Sequence, residues 1–196
     1  MKTSVRVIVL TATALLCACA SPPAEHFYTL DAVAHGSPPA PGNSALSIRL
    51  GPVNLPEMVD RPQLVLRSGP NEVRLMEARR WAESLRSAIP RVIGSNLKRQ
   101  WQDVQVSSTL DGTTAPARYS VAIDILRFDS TLGEAVELEA RWRIRRDGKS
   151  LQAGSMAWRE PVQGAGYEDL AAAHDRALAS LSRQLATSIN AAERAP

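Results

Sequence analysis

The chain has 196 residues, 22% of them charged, a net charge of +3 and two cysteines. That length suits one domain with a proper core. So small a charge gives no argument for nucleic acid as a partner. Two cysteines and three histidines leave little scope for a disulfide framework or a cysteine metal site, and no cofactor or metal is expected.

Lys2 and Arg6 precede the apolar run Val7 to Leu16, which ends in Leu16-Cys17-Ala18-Cys19. A basic start, about ten apolar residues and small residues before a cut are the parts of a secretory leader. The run is too short to span a bilayer, which takes roughly 20 apolar residues. Leu16, Ala18 and Cys19 occupy the positions of the bacterial lipobox, which this ending resembles, with Cys17 as a departure from its usual small residue. In a lipobox the thiol, here that of Cys19, is acylated and becomes the new N-terminus. An ordinary secreted protein cut after Ala18 or Ala20 is the alternative. One acyl chain holds a protein only marginally and stable residence takes a second, so a multiply acylated Cys19 would be a permanent anchor. Ala20, where Asp would retain the protein at the inner membrane, resembles Gram-negative lipoproteins sorted to the outer membrane. The expected organisation is a leader over 1–18, a lipidated N-terminus and tether over 19–44, and a periplasmic domain over 45–196. Cleavage removes Cys17 and two positive charges, and lipid takes Cys19, so the domain has no free thiol and depends on burial for stability.

Ser21-Pro22-Pro23-Ala24 reads as a short stiff tether, and Ala32 to Ser44, rich in Pro, Gly, Ala and Ser, as loop. Leu46, Ile48 and Leu50 alternate with polar residues as a half-buried strand does. Gln63–Arg67 and Glu72–Met76 flank Ser68-Gly69-Pro70-Asn71, a hairpin signal. From Glu77 to Lys98 the residues Trp81, Leu85, Ile89 or Ala88, Val92 and Leu97 recur near helical spacing. Pro90 lacks a backbone donor, which predicts a kink or a break into two helices.

Alternation in Tyr119, Val121, Ile123 and Ile125, then in Val136 through Ile144, then Leu151 to Trp158 predicts a three-stranded antiparallel meander. Leu132-Gly133-Glu134 and Asp147-Gly148 mark its turns. A last helix follows from Tyr167 to about Asn190, with the stripe Leu170, Ala177 or Leu178, Leu181, Leu185 and Ile189. Strands, helix, strands, helix describe a single α+β domain with two long helices packed on a mixed or antiparallel sheet.

Signs of catalysis are missing. His26, His35 and His174 lie in unrelated contexts and read as surface or boundary residues. No phosphate loop, metal-spaced cluster or nucleophile elbow is present. Glu137, Glu139, Arg141 and Arg143 read as a solvated sheet face, and Trp81, Trp142 and Trp158 as core. A non-enzymatic role is expected. The segment Gly51 to Val65, with Pro52, Pro56 and Pro62 around Asp60-Arg61, is extended by its prolines. It is either a rigid crossover, with Arg61 tied to a local carboxylate or carbonyl, or a partner-binding edge. The edge reading puts Leu55, Met58, Val59, Asp60 and Arg61 at the contact, with the apolar three exposed.

The lipobox, Phe27-Tyr28-Thr29-Leu30, Gly51-Pro52-Val53 with Leu55-Pro56, Asp60-Arg61-Pro62-Gln63-Leu64-Val65, Arg80-Trp81-Ala82-Glu83-Ser84-Leu85, Asn96-Leu97 and Ala177 to Ser182 are similar to the ABC-type transport auxiliary lipoproteins. That family includes the lipoprotein of the paraquat-inducible Pqi system. The resemblance spans nearly the whole domain in order, and Pro90 departs from it. It implies an outer-membrane subunit working with an inner-membrane MCE-domain protein in lipid traffic between the membranes, as a docking or collar piece assembled as a homo-oligomer. A monomeric lipid-binding carrier is the alternative. An envelope hydrolase lacks a nucleophile or base.

Overall fold

In the computed structural model the described residues are 24–33, 46–101, 103–112 and 116–194. They form eight strands and two long helices: β1 His26–Tyr28, β2 Ser47–Asn54, β3 Gln63–Gly69, β4 Glu72–Trp81, α1 Leu85–Lys98, β5 Gln105–Ser108, β6 Tyr119–Thr131, β7 Ala135–Arg146, β8 Lys149–Pro161 and α2 Tyr167–Arg194. The predicted mixed sheet with two helices and a closing meander is what the chain builds.

The sheet forks at β6. On one side β7 pairs along its whole length, from Tyr119 opposite Arg146 to Thr131 opposite Ala135, and β8 continues the meander. On the other side β2 runs parallel to the first half of β6, and β3 meets it near Ser130. β5 extends the β2 branch, while β4 and then β1 extend the β3 branch. Asp147 and Gly148 both have positive φ in the β7–β8 turn, the conformation that a tight two-residue hairpin needs.

Both helices cover one face, α1 over β2 and β5 and α2 over β7 and β8. The predicted stripe of α2 is buried throughout, and so are Leu85, Ala88, Ile89, Val92 and Leu97 of α1. Trp101 Nε1 donates to Asn190 Oδ1 at 3.1 Å, tying the far end of α1 to α2. None of the helices among the described residues is long and apolar enough to cross a membrane.

Four expectations are corrected. Glu77 to Trp81 is strand rather than helix: β4 continues past Met76, and Gln63 pairs with Arg80 across a register shift. Of the kink or break expected at Pro90, the break does not occur: α1 is one helix through this buried residue, because packing on the sheet outweighs the one backbone bond lost. Trp158 lies on the helix-facing side of β8 but is 42% exposed, since among the described residues β8 is an edge strand with no neighbour beyond it. His174 is core, not surface. The sheet also takes in β1 and the buried Leu30, both N-terminal to residue 45, where the domain was expected to start.

One irregularity redirects β6. A register shift between Ile125 and Arg127 reverses the parity of the strand, as a bulge does, so Phe128 enters the core and Asp129 faces Arg67 and Arg127. Their Nε atoms lie 2.5 and 2.6 Å from the carboxylate. Burial alone would raise the Asp129 pKa, but the two guanidiniums outweigh it and hold the group below its usual value.

Candidate functional site

Between β2 and β3 the chain makes a compact turn instead of an extended crossover. Pro56 O accepts from Val59 N and Asp60 N, both at 3.1 Å. Arg61 Nη2 donates to Glu57 O at 3.2 Å, so the cation is tied to a local carbonyl as the crossover reading required. The turn drives Leu55 and Val59 inward, to 9% and 3% exposure, and Met58 packs half-buried against the core. The expected exposure of all three is therefore corrected. With both ends of the segment built into strands, its apolar side chains reach the core below. Asp60 and Arg61 remain half-exposed at the surface.

This turn meets the β4–α1 junction. Trp81 N donates to Pro62 O at 2.7 Å, and Ala82 N to Tyr28 O at 2.8 Å. Asp60 Oδ2 accepts from Arg86 Nε at 2.6 Å. Glu83 pairs with Arg91, whose Nη2 also donates to Leu30 O at 2.8 Å. The result is a pocket of about 300 Å³ lined by Asp60, Arg61 and Pro62 on one side and Trp81 to Leu85 on the other. Arg61 Nε at its wall is enclosed and without a hydrogen-bond partner. Thus Tyr28–Leu30, Asp60–Pro62 and Trp81–Leu85, remote in sequence, join at one corner. Arg86 and Arg91 were not foreseen. Their only signal was a position on the exposed side of α1, which many surface arginines share.

The floor of the corner is aromatic. Trp81 and Phe128 meet the His174 imidazole edge-on, with centroids at 5.3 and 4.8 Å. His174 Nδ1 lies 2.9 Å from Leu170 O, and a carbonyl can only accept, so Nδ1 carries the proton. Burial pushes the imidazole pKa down to about 4, against the Leu170 bond and the Asp129 charge. A neutral ring packed this way supports the wall and is not placed to exchange protons with a ligand. Among the described residues no group of three or more His, Cys, Asp or Glu could hold a metal. Cys19, the expected lipidation residue, lies outside the described residues, as does His35, while His26 is exposed on β1.

The described residues thus form one α+β domain, a forked sheet covered by helices on one face with β1 joined to a polar corner. The model of the ABC-type transport auxiliary lipoprotein component matches residues 28–186, and the chain belongs to that family. Two solved structures share the fold. One, described only as an uncharacterized protein, has 14% identity and a TM-score of 0.72, over 85% of this chain and 99% of that one. The other, a Xanthomonas campestris protein of the DUF330 family, has 15% identity and a TM-score of 0.65, over 83% and 92%. No curated protein matches the chain.

Proposed function

We propose that this transport auxiliary lipoprotein is anchored through lipid on Cys19 to the periplasmic face of the outer membrane. There it acts as a docking subunit for an MCE-domain protein reaching across from the inner membrane. The observation that carries this reading is the convergence of Asp60–Pro62 with Trp81–Leu85 in one rigid, half-polar pocket inside the span of the family match. A rigid surface loses little ordering entropy on docking. Asp60, Arg61 and the half-buried Met58 form the contact, while Leu55 and Val59 hold the turn from beneath. Residues 1–18 are the leader, 19 to about 25 the lipidated tether, and the domain begins with β1. Six residues separate Cys19 from β1, a reach of at most roughly 25 Å, so the body stays close to its leaflet. Copies of the chain assemble side by side, and the unpaired edge of β8 with the exposed Trp158 supports such a contact.

The test is capture of the MCE protein by the full chain and by Arg61→Glu, a change at the half-exposed wall of the pocket. Loss of capture with unaltered melting is expected. Normal capture by Arg61→Glu would remove the corner from the docking surface, and lipid co-purifying with a monomer would favour the carrier reading instead.

A further inference from the structure

The face of the sheet away from the helices carries several guanidinium groups, and that of Arg49 has hydrogen-bonding capacity that is unused. Ile48 and Leu50 are buried under α1, so Arg49 between them points to the opposite face. Register sets Arg49 opposite Ser120, Ser120 opposite Arg145, and Arg145 opposite Ser150. Residues opposite one another share a face, so guanidinium and hydroxyl groups alternate across four strands. One step along, Gly51 and Ala122 offer almost no side chain and leave a hollow of about 460 Å³, closed at its sides by Thr109 and Arg143. A side chain at position 51 would be crowded, because a Cβ there would lie 3.2 Å from Val121 O.

The Nε and Nη2 atoms of Arg49 are enclosed and make no hydrogen bond. An enclosed charged donor without an acceptor is costly, and a planar guanidinium fork matches the oxygens of a phosphoryl group. The neighbouring cations are pre-positioned. Arg145 donates from Nε and Nη2 to Gly148 O at 3.0 and 2.6 Å, which fixes its direction without neutralising it. Arg143 is 3.6 Å from Asp124, and that carboxylate also accepts from Asn54 Nδ2 at 2.6 Å. Among the described residues lining the hollow there is no carboxylate.

We propose that this hollow is a phosphoryl-binding site, with Arg49 as its fork, Arg143 and Arg145 as flanking charges, and the hydroxyls of Ser120 and Ser150 as further donors. A phospholipid headgroup and free phosphate share this chemistry. The site shares no lining residue with the docking corner and stands or falls independently of it.

The experiment is titration calorimetry on the full chain in a phosphate-free non-ionic detergent. The probes are inorganic phosphate, dihexanoylphosphatidylglycerol, and dihexanoylglycerol as the same chains without the phosphoryl group. Both phosphoryl probes should bind and dihexanoylglycerol should not. Arg49→Gln should weaken binding about tenfold or more, and added salt should weaken it in the wild type. Arg143→Gln, at an exposed side chain, should weaken binding severalfold and serves if Arg49→Gln does not fold. Tighter binding of the lipid than of phosphate identifies a headgroup site, and equal binding a phosphate site. Absence of phosphoryl binding to the wild type, or equal affinity in folded variants, overturns the proposal.

Discussion

The indole of Trp81 and the imidazole of His174 meet edge to face, 5.3 Å between centroids and 81° between planes. One is the last residue of β4 and the other lies about two turns inside α2. The contact therefore joins the outer branch of the sheet to the helix layer, directly beneath the Asp60–Arg61 rim.

Trp81→Ala should be the most damaging single truncation at this corner. It empties an indole-sized space between His174, Leu85 and Val59, and such truncations cost roughly 3–5 kcal/mol. Thermal unfolding should show a fall of about 6–20 degrees, the order expected for such a loss in a domain of this size. An unchanged melting temperature would mean the ring carries no packing energy.

His174 makes stability depend on pH with a definite sign. Its folded pKa is about 4, against 6.5 for the free group, so the unfolded chain binds more protons between those values. The contribution is complete above about pH 6.5 and is lost as pH falls toward about 4. Asp175 opposes it. Burial raises that carboxyl to about 6, so its contribution is present below the ordinary carboxylate pKa and lost as pH rises through about 6. His174→Gln separates the two: the wild type's advantage in melting temperature should shrink as pH drops from about 7 to about 4.5. A difference independent of pH would show that His174 does not titrate differently in the fold.

Gly154 is a packing requirement. It faces Trp142 across the β7–β8 ladder, and a Cβ there would lie 2.4 Å from the indole. Gly154→Ala should destabilise by about 1–3 kcal/mol, the usual cost of overpacking. Trp142→Phe, which removes the clashing ring, should recover much of that loss in the double variant. Additive effects in a denaturation cycle would place the ring elsewhere.

Placement in the envelope rests on Cys19 and Ala20. Cys19→Ala should abolish acylation and release the domain into the periplasm, read by labelled palmitate and fractionation. Ala20→Asp should leave the protein acylated but hold it at the inner membrane. Recovery of that variant wholly in the outer membrane would detach the sorting rule from this chain.

Local pattern was enough to read the meander β6–β8, the stripe of α2 and the solvated row from Glu137 to Arg143, because a period of two or of 3.6 is written in consecutive residues. The segments proposed for docking were legible as unusual strings, and the proposed leader as a charge followed by an apolar run. Tertiary structure alone decided which of these strings are neighbours and which of their side chains face water. Glu77 to Trp81 fits a helical spacing, and it is strand because β1 and β3 flank β4 and supply its hydrogen bonds. Leu55 and Val59 look like exposed tips on a proline-bracketed string, and they are buried because both ends of that string are pinned to strands above the core. Trp158 follows the inward alternation of its strand yet stays partly in water, because no ninth strand covers β8 among the described residues. Alternation along one strand tells which face a residue takes, whereas burial also depends on what the rest of the chain lays against that face.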